Sequence, residues 1–328
     1  MAETDNVFRS QLLERRHRLE TAMHTMPATG EIEKLLSDVD KALERIEHGT
    51  YGLCETCHDA IEPERLMADP LMCYCLDHLT QSQRHALQQD LDLAVEIQSA
   101  LLPSRNMKIA GWEAYFHYQP AGPVSGDYCD LIPVQNDGGG LLFLAGDVSG
   151  KGVAASLLMS NLHAIFRSLY SPGMSLLELI KRANHVFCEN TMSSFYATLL
   201  CGLAHSSGEV EICNAGHLPP VILRSGEVVT LGATGMPLGL FCDAEFTVCR
   251  AELKPGESLV LYTDGLTEAR NSSDDEYGRE RLLQLLAECN QMTPKHLADR
   301  CVKELLKFVA NRGISDDVTI MVLQRSAA

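Results

Sequence analysis

Aspartates end or begin several apolar runs of this sequence. Asp147 closes LLFLAGD and Asp264 closes LVLYTD. Asp316 and Asp317 directly precede VTIMVL, and Asp127 lies beside glycine in GPVSGDYCD. A single aspartate of this kind is ordinarily a turn residue, so it is the recurrence that favours a site. Hard cations such as Mg²⁺ and Mn²⁺ prefer oxygen ligands, and two of them could activate a water and hold a phosphoryl oxygen. The pattern therefore indicates metal-assisted phosphoryl chemistry.

Two other phosphate chemistries do not fit the sequence. The segment GDVSGKG has three residues between its first glycine and Gly-Lys, where a Walker loop needs four, and Gly152 follows Lys151 where that loop needs Ser or Thr. A thiol phosphatase needs a cysteine nucleophile at a set distance ahead of an arginine, and none of the twelve cysteines has this spacing. The nucleophile is therefore predicted to be a metal-bound hydroxide.

Six motifs of the chain closely resemble the metal-dependent protein phosphatases, in the bacterial branch of the sporulation and RsbU-type regulators. They are SGDYCD, AGDVSGKG, NAGHLPP, GMPLG, YTDGLTEA and SDDVTIMV, which occur in the expected order within residues 85–328. The resemblance implies an α+β fold, a two-layer antiparallel β-sandwich flanked by helices, with two Mn²⁺ or Mg²⁺ ions in a cleft at one end. It also implies a serine/threonine phosphoprotein phosphatase that acts on a phosphoserine of a regulatory protein, such as an anti-sigma-factor antagonist.

The same resemblance assigns roles to individual residues. The aspartates that match the metal-binding and catalytic positions are Asp127, Asp147, Asp264 and Asp316. It adds the backbone carbonyl of Val148 as a ligand, and Asp317 as a second candidate at its motif. Eukaryotic relatives hold the substrate phosphate with an arginine near the first motif, for which Arg105 is only a guess here. His217, in NAGH, is either catalytic or part of a structural turn, and the crowding of Gly and Pro around it favours the turn.

A cluster of cysteines suggests a second kind of metal site. Cys54, Cys57, Cys75 and His78 give C-x₂-C-x₁₇-C-x₂-H, which suits one tetrahedral structural Zn²⁺. A redox CxxC is the alternative, although its thioredoxin-like context is absent, and Cys73 could replace one of the ligands.

The region around these cysteines, roughly residues 30–80, resembles the zinc finger of DksA/TraR-type proteins. Such proteins act on RNA polymerase through the tip of a longer helical hairpin that carries acidic residues. The corresponding tip here reads TMPATG and has no Asp, so RNA polymerase is a weak candidate partner. A sensory or scaffolding domain joined to a phosphatase is the favoured interpretation.

The elements that must position these residues fall into three parts. Helical patterns at 6–24 and 31–48 predict a helical hairpin, which with the zinc finger forms a domain of residues 1–79. A linker helix within 80–105 either packs on a neighbouring domain, mediates a homodimer or carries a signal. In the phosphatase domain, 106–328, strands mostly follow strands, which favours α+β layers. Its predicted strands are 112–119, 140–147, 195–204, 220–225, 258–264 and 317–324, and its predicted helices lie near 152–170, 174–191, 279–289 and 294–311.

Composition narrows the classes of function. The net charge is −17, from 27 Lys+Arg against 44 Asp+Glu, which argues against nucleic-acid binding because both partners would be anionic. No run approaches the ~20 apolar residues of a membrane helix, and the polar start shows no leader, so we expect a cytoplasmic protein without a membrane partner. The cysteines outside the cluster are expected to be buried apolar thiols.

Two rival functions remain open at this point. A binding protein whose phosphatase fold has lost its activity would be expected to lack at least one of the four aspartates, and all four are present. A phosphatase for small phosphate esters would favour a deep closed pocket over an open cleft.

Overall fold

The structure is a computed structural model that describes residues 2–25, 30–78, 81–134, 139–192, 194–224, 227–289 and 291–326. The chain divides into two compact units, Met1–Asp90 and Leu91–Ala328, and each is described by itself. The division point lies within the predicted linker, 80–105, and residues 26–29 of the predicted hairpin tip lie outside the described residues. Among the described helices, none is both long enough and apolar enough to cross a bilayer.

The N-terminal unit begins with the two helices that the sequence predicts. They are α1 (Ala2–Thr25) and α2 (Gly30–Glu47). An apolar cluster of Leu12, Val39 and Ala42 joins them, because apolar residues recur on one face of α2 at helical spacing.

A second small core of this unit surrounds the cysteines. α3 (Pro63–Ala68) starts at a proline, whose missing N–H is unpaired at that position of any helix. A 3₁₀ turn spans Leu76–His78, and α4 (Gln81–Leu101) contains the division point. The buried members of this core are Phe8, Cys54, Ile61, Leu66 and Cys75.

The C-terminal unit contains two antiparallel sheets. The strands are β1 (Asn106–Ile109), β2 (Trp112–Gln119), β3 (Asp127–Val134), β4 (Gly140–Val148), β5 (Ala197–His205), β6 (Glu209–Ala215), β7 (Val221–Arg224), β8 (Glu227–Thr230), β9 (Cys249–Glu252), β10 (Ser258–Tyr262) and β11 (Val318–Arg325). The first sheet has the order β3-β4-β5-β6-β9, and the second has the order β1-β2-β11-β10-β7-β8. The predicted two-layer antiparallel α+β fold is therefore confirmed.

Among the described residues, five α-helices follow or alternate with the strands of the two sheets. They are α5 (Gly152–Leu169), α6 (Leu176–Asn190), α7 (Asp264–Thr267), α8 (Arg279–Glu288) and α9 (Pro294–Val309). Side-chain caps define two of their starts: the Ser175 hydroxyl accepts from the Glu178 amide, and the Thr293 hydroxyl accepts from the His296 amide.

The period-two alternation of β4 shows how the layers are built. Leu141, Phe143 and Ala145 lie in the apolar cluster between the two sheets, whereas Leu142 and Leu144 pack with residues of α5 and α6. The second sheet is covered in the same way by α8 and α9. Odd-numbered residues of β3 and β4 therefore face the opposite sheet, which decides where their acidic side chains point.

One expectation about the cysteines is wrong. Cys188 and Cys242 form a disulfide that links the end of α6 to the loop before β9, so they are not buried thiols. The described cysteines Cys129, Cys201 and Cys213 are buried thiols as expected.

Candidate active site

Asp127 and Asp147 are brought together by the pairing of two strands. They lie directly opposite each other in the register of β3 and β4. Both are odd-numbered, so their side chains face the second sheet. Gly126 makes the approach possible, because a Cβ there would lie 3.1 Å from the Val148 carbonyl oxygen and 3.3 Å from Asp147 Oδ1. Gly126 therefore lies close to both the Val148 carbonyl oxygen and the Asp147 carboxylate.

Asp264, Asp316 and Asp317 meet at the end of the second sheet. Asp264 starts α7 two positions after the last residue of β10, and the other two precede the neighbouring β11. Gly265 is required here, since a Cβ at this position would lie 2.0 Å from the Asp317 carbonyl oxygen. Close backbone contact therefore holds the two acidic motifs together.

Two threonines join the acidic ends of the sheets. The hydroxyls of Thr263 (2.9 Å) and Thr319 (2.5 Å) both donate to Oδ2 of the buried Asp127. The Thr319 amide in turn donates to the Thr263 hydroxyl at 2.9 Å. Sequence analysis missed these threonines, although each lies inside a recognised motif, YTDG or DDVTIM.

Asp317 makes the reciprocal connection. Its Oδ1 accepts from the Ala121 amide at 2.7 Å, and its Oδ2 accepts from the Gly126 amide at 3.0 Å. Its carboxylate thus holds the loop that leads into β3. Asp316 differs, because its Oδ2 lies 2.9 Å from the ammonium of Lys151.

The surroundings of Asp127, Asp147 and Asp264 disfavour the ionised form of their carboxyl groups. Burial, followed by the charge of Asp147, holds the pKa of Asp127 well above its usual range. Burial, followed by the charges of Asp264 and Asp316, raises the pKa of Asp147 to about 7. Burial and then Asp316 also raise the pKa of Asp264. A cation bound among these groups would offset both the desolvation and the mutual repulsion, so the all-oxygen donor set fits Mg²⁺ or Mn²⁺.

A cavity of ≈ 290 Å³ opens beside two of the aspartates. It is lined by Asp147, Ser149, Tyr196, Thr198, Gly216, His217, Leu218, Pro219, Asp264 and Glu268. The carboxylates on its wall are therefore those that a bound substrate would meet.

His217 has structural contacts on both ring nitrogens. Nδ1 lies 3.0 Å from the Thr198 hydroxyl, and Nε2 lies 3.1 Å from the Tyr262 carbonyl oxygen. Its amide donates to the Asn214 side chain at 2.8 Å, and burial lowers its pKa to about 4. A neutral imidazole that bridges β5 and β10 favours the structural interpretation of NAGH.

Arg105 lies elsewhere in the unit. Burial raises the pKa of Tyr115 and lowers that of His117, both on β2, and the charge of Arg105 makes a smaller contribution that lowers each. Burial raises the pKa of Asp147 and Asp264, and the charge of Lys151 partly offsets this rise.

In the N-terminal unit, the predicted zinc ligands lie together. The ligand atoms of Cys54, Cys57, Cys75 and His78 all lie within 4.8 Å of one another. Within this set, Cys75 Sγ is 3.7 Å from Cys57 Sγ and 3.2 Å from His78 Nδ1. Cys73 instead directs its thiol to the Leu71 carbonyl at 3.3 Å. Three sulfurs and one imidazole at this spacing fit a tetrahedral Zn²⁺.

A tight turn brings the first two cysteines together. The Cys54 amide donates to the Asp59 carbonyl at 2.8 Å, and the His58 amide donates to the Cys54 carbonyl at 2.9 Å. His58 adopts a positive φ of 60°, which closes the turn.

Comparison with curated proteins identifies relatives of the chain. The chain is 28% identical to protein IcfG of Synechocystis sp. over 266 residues, which cover 72% of this chain and 42% of IcfG, less than half of that relative's length. It is 24% identical to phosphoserine phosphatase RsbU of Bacillus subtilis over 257 residues, which cover 77% of this chain and 75% of RsbU.

Solved structures and family models agree on the C-terminal unit. The SiaA-PP2C domain of Pseudomonas aeruginosa has the same fold, with a TM-score of 0.64 at 18% identity over 75% of this chain and 99% of that domain. The model of the family described as Stage II sporulation protein E (SpoIIE) matches residues 137–326, more than half of the chain. The chain therefore belongs to the SpoIIE family.

Proposed function

We propose that the chain is a metal-dependent serine/threonine phosphoprotein phosphatase. The observation that supports this most directly is that aspartates from two different sheets meet at one cleft, with pKa values raised by burial and by one another. The relative RsbU is named a phosphoserine phosphatase, which supports the same activity here. The proposed catalytic and metal-binding aspartates are Asp127, Asp147, Asp264 and Asp316.

Two Mn²⁺ or Mg²⁺ ions are the proposed cofactors of this site. The four aspartates and the Val148 carbonyl offer oxygen donors only, which is the set that hard cations prefer. When bound, such ions lower the pKa of a coordinated water and offset charge on phosphoryl oxygens. Both carboxylate oxygens of Asp317 accept hydrogen bonds from backbone amides. We therefore propose that Asp317 mainly positions the loop before β3, and that any metal coordination is a second role.

The residues of the chain have separate tasks in this proposal. Asp147 and Asp264 line the cavity and face the entering phosphoryl group. Asp127 lies deeper, where the Thr263 and Thr319 hydroxyls orient its carboxylate. His217 fixes the distance between the strand that carries Thr198 and the strand that ends at Tyr262.

The proposed substrate is a phosphoserine on a regulatory protein, of which an anti-sigma-factor antagonist is the first to test. A cavity of ≈ 290 Å³ is at the small end of ligand sites, which suits one phosphorylated side chain. The cavity walls are partly apolar, through Tyr196, Leu218 and Pro219, which suits contact with the residues around a phosphoserine.

Phosphate release from such a phosphoprotein tests the proposal. The full-length chain with Mn²⁺ should release phosphate, and EDTA should abolish the release. Asp147→Asn keeps the side-chain shape but removes the charge, so kcat/KM should fall by at least ~100-fold, about 2.7 kcal/mol of transition-state stabilisation. Asp243→Asn, at an exposed loop position, is the matched control and should retain the wild-type rate.

The same assay separates the rival functions. An inactive binding protein would retain the phosphoprotein without releasing phosphate. A phosphatase for small esters would show a higher kcat/KM on p-nitrophenyl phosphate than on the phosphoprotein. No release from any phosphoprotein with Mn²⁺ or Mg²⁺ would overturn the proposed function.

For the N-terminal unit we propose one structural Zn²⁺ held by Cys54, Cys57, Cys75 and His78. A homodimer through α4 and an interaction with RNA polymerase stay predictions from the sequence, as do the domain limits 1–79, 80–105 and 106–328.

A further inference from the structure

Lys151 brings a positive charge to the acidic cleft. Its Nζ lies 2.9 Å from Asp316 Oδ2 and 3.4 Å from the Ser315 carbonyl oxygen. The lysine side chain is 70% exposed, so the ammonium reaches the carboxylate from the solvent side. An exposed ion pair of this kind adds little to stability, which leaves the placement of the lysine without a structural explanation.

The backbone around Lys151 directs its side chain toward the cleft. Gly150 (φ 98°) and Gly152 (φ 72°) flank it in the left-handed region, while Lys151 itself is extended and forms the N-cap of α5. The turn follows directly on the strand that carries Asp147 and Val148. The side chain therefore starts four residues after Asp147, with a flexible four-carbon stem that ends at the Asp316 carboxylate.

A bound metal ion and the ammonium of Lys151 would compete for the Asp316 carboxylate. A divalent ion held by Asp316 takes the same carboxylate that Lys151 now neutralises. An ammonium displaced from Asp316 would stay tethered beside that carboxylate, where a phosphate dianion would add new negative charge. Lysine has three rotatable N–H donors and binds phosphate as a point charge.

We propose that Lys151 contacts the phosphoryl oxygens of the substrate and supplies the cationic phosphate-binding group of this site. The inference rests on the proposed phosphatase function. In this proposal Lys151 takes the phosphate-binding role for which the sequence analysis offered only Arg105. The charge of Arg105 acts on Tyr115 and His117 instead.

Calorimetric titration of the full-length chain tests the contact without relying on turnover. Mn²⁺ is titrated first into the metal-free protein, and inorganic phosphate is then titrated into the Mn²⁺-loaded protein. Lys151→Gln should bind Mn²⁺ at least as tightly as wild type, because the competitor for Asp316 is gone. It should bind phosphate at least about tenfold more weakly, the ratio expected for the loss of one charge-assisted hydrogen bond. Lys151→Arg should restore most of the phosphate affinity.

Steady-state kinetics and a matched control complete the test. In Lys151→Gln, KM for the phosphoprotein should rise at least about tenfold while kcat changes less. Lys181→Gln removes another ion-paired lysine, which lies on α6 with its ammonium 2.6 Å from Glu245, and should leave both titrations unchanged.

The outcomes separate this inference from the proposed function. Phosphate affinity within about twofold of wild type in Lys151→Gln, or a parallel loss of Mn²⁺ affinity, overturns the phosphate contact while wild-type hydrolysis stands. Lys151-dependent phosphate binding in a wild-type protein that hydrolyses no phosphoprotein would instead refute the phosphatase function and leave the contact in place.

Discussion

Asp127 and Thr319 belong to different sheets, and the threonine hydroxyl donates a hydrogen bond to Oδ2 of the aspartate. Asp127 is fully buried, so this bond and its counterpart from Thr263 stabilise a carboxylate that water does not reach. The connection ties the first residue of β3 to the second residue of β11, at the end of the sandwich where the other acidic residues gather.

Removal of the Thr319 hydroxyl should weaken this connection. Thr319→Val keeps the shape but leaves Asp127 with one hydroxyl donor, and loss of a hydrogen bond to a buried polar group costs about 1–3 kcal/mol. We expect a loss of that size in the free energy of unfolding, measured by urea denaturation at pH 8. Thr247→Val, at an exposed hydroxyl that donates to the Thr234 carbonyl, is the control. Equal stability of the two variants would contradict the assigned role.

Asp317 and Asp316 should respond differently to neutralisation. Asp317→Asn disturbs two backbone amide contacts and should lower the free energy of unfolding of the metal-free protein by about 1–3 kcal/mol. Asp316→Asn loses an exposed ion pair and should change it by less than about 1 kcal/mol, while Mn²⁺ affinity falls. Denaturation and Mn²⁺ titration of both variants check this, and the reverse order of stabilities would refute the positioning role of Asp317.

The ionisation of Asp147 should make the free energy of unfolding of the metal-free protein decrease as the pH rises. Its pKa rises from 3.8 to about 7 on folding, so between these values the folded protein holds a proton that the unfolded chain has lost. The stability from this group is complete below about pH 4 and is lost as the pH rises to about 7. Asp147→Asn has no titrating group at this position. The stability of the variant relative to wild type should therefore increase as the pH rises from about 4 to about 7.

The comparison with the variant is needed because His217 acts in the opposite sense. Its pKa falls to about 4 in the folded protein, so its contribution is lost as the pH falls below its usual value of 6.5. Melting temperatures of both proteins in EDTA from pH 4.5 to 8 measure the difference. A difference that stays constant with pH would show that Asp147 is already ionised throughout.

The cysteine cluster should contain zinc. We expect about one Zn²⁺ per chain by elemental analysis, since three thiolates and an imidazole complete a tetrahedral site. Cys54→Ser should release the ion, whereas Cys73→Ser should retain it, because Cys73 directs its thiol to a carbonyl. Zinc-free wild-type protein, or equal loss in both variants, would show that the four residues are not the ligands.

The disulfide should make stability depend on reductant. The bond joins residues 54 positions apart, and in the chain-entropy model closing such a loop stabilises by about 4 kcal/mol. Dithiothreitol should therefore lower the melting temperature of wild type but leave Cys188→Ser/Cys242→Ser unchanged. A wild-type melting temperature that is insensitive to reductant would mean that the thiols are not joined in solution.

Burial and an uninterrupted apolar pattern explain which strands the sequence analysis found. β4, β10 and β11 are covered on both faces and therefore read as continuous apolar runs, which the sequence analysis found. β1, β8 and β9 are four-residue strands with partly exposed side chains, and none was predicted. β3 was also missed, because Asp127, Asp130 and Pro133 interrupt its apolar pattern. β6 was missed as well, and its apolar pattern is interrupted by Glu209, Glu211 and Asn214.

Asp130 explains why β3 tolerates these interruptions. It faces away from the second sheet, and its carboxylate accepts two hydrogen bonds from Arg167 of α5, at 2.8 and 2.6 Å. Asp127, three residues earlier, faces the cleft. Two aspartates in one short motif therefore have different partners, and strand alternation separates them.

The sequence by itself determined the acidic motifs, their order and the four residues proposed as zinc ligands, because each is a local pattern with a recognisable spacing. Only the tertiary structure decided what each aspartate does. The partners of Asp127 and Asp317 lie between 136 and 196 residues away in the chain. Local spacing carries no information about contacts over such separations. They arise when two sheets pack face to face and their strand ends meet, so Asp317 is held by backbone amides while its neighbour Asp316 faces Lys151.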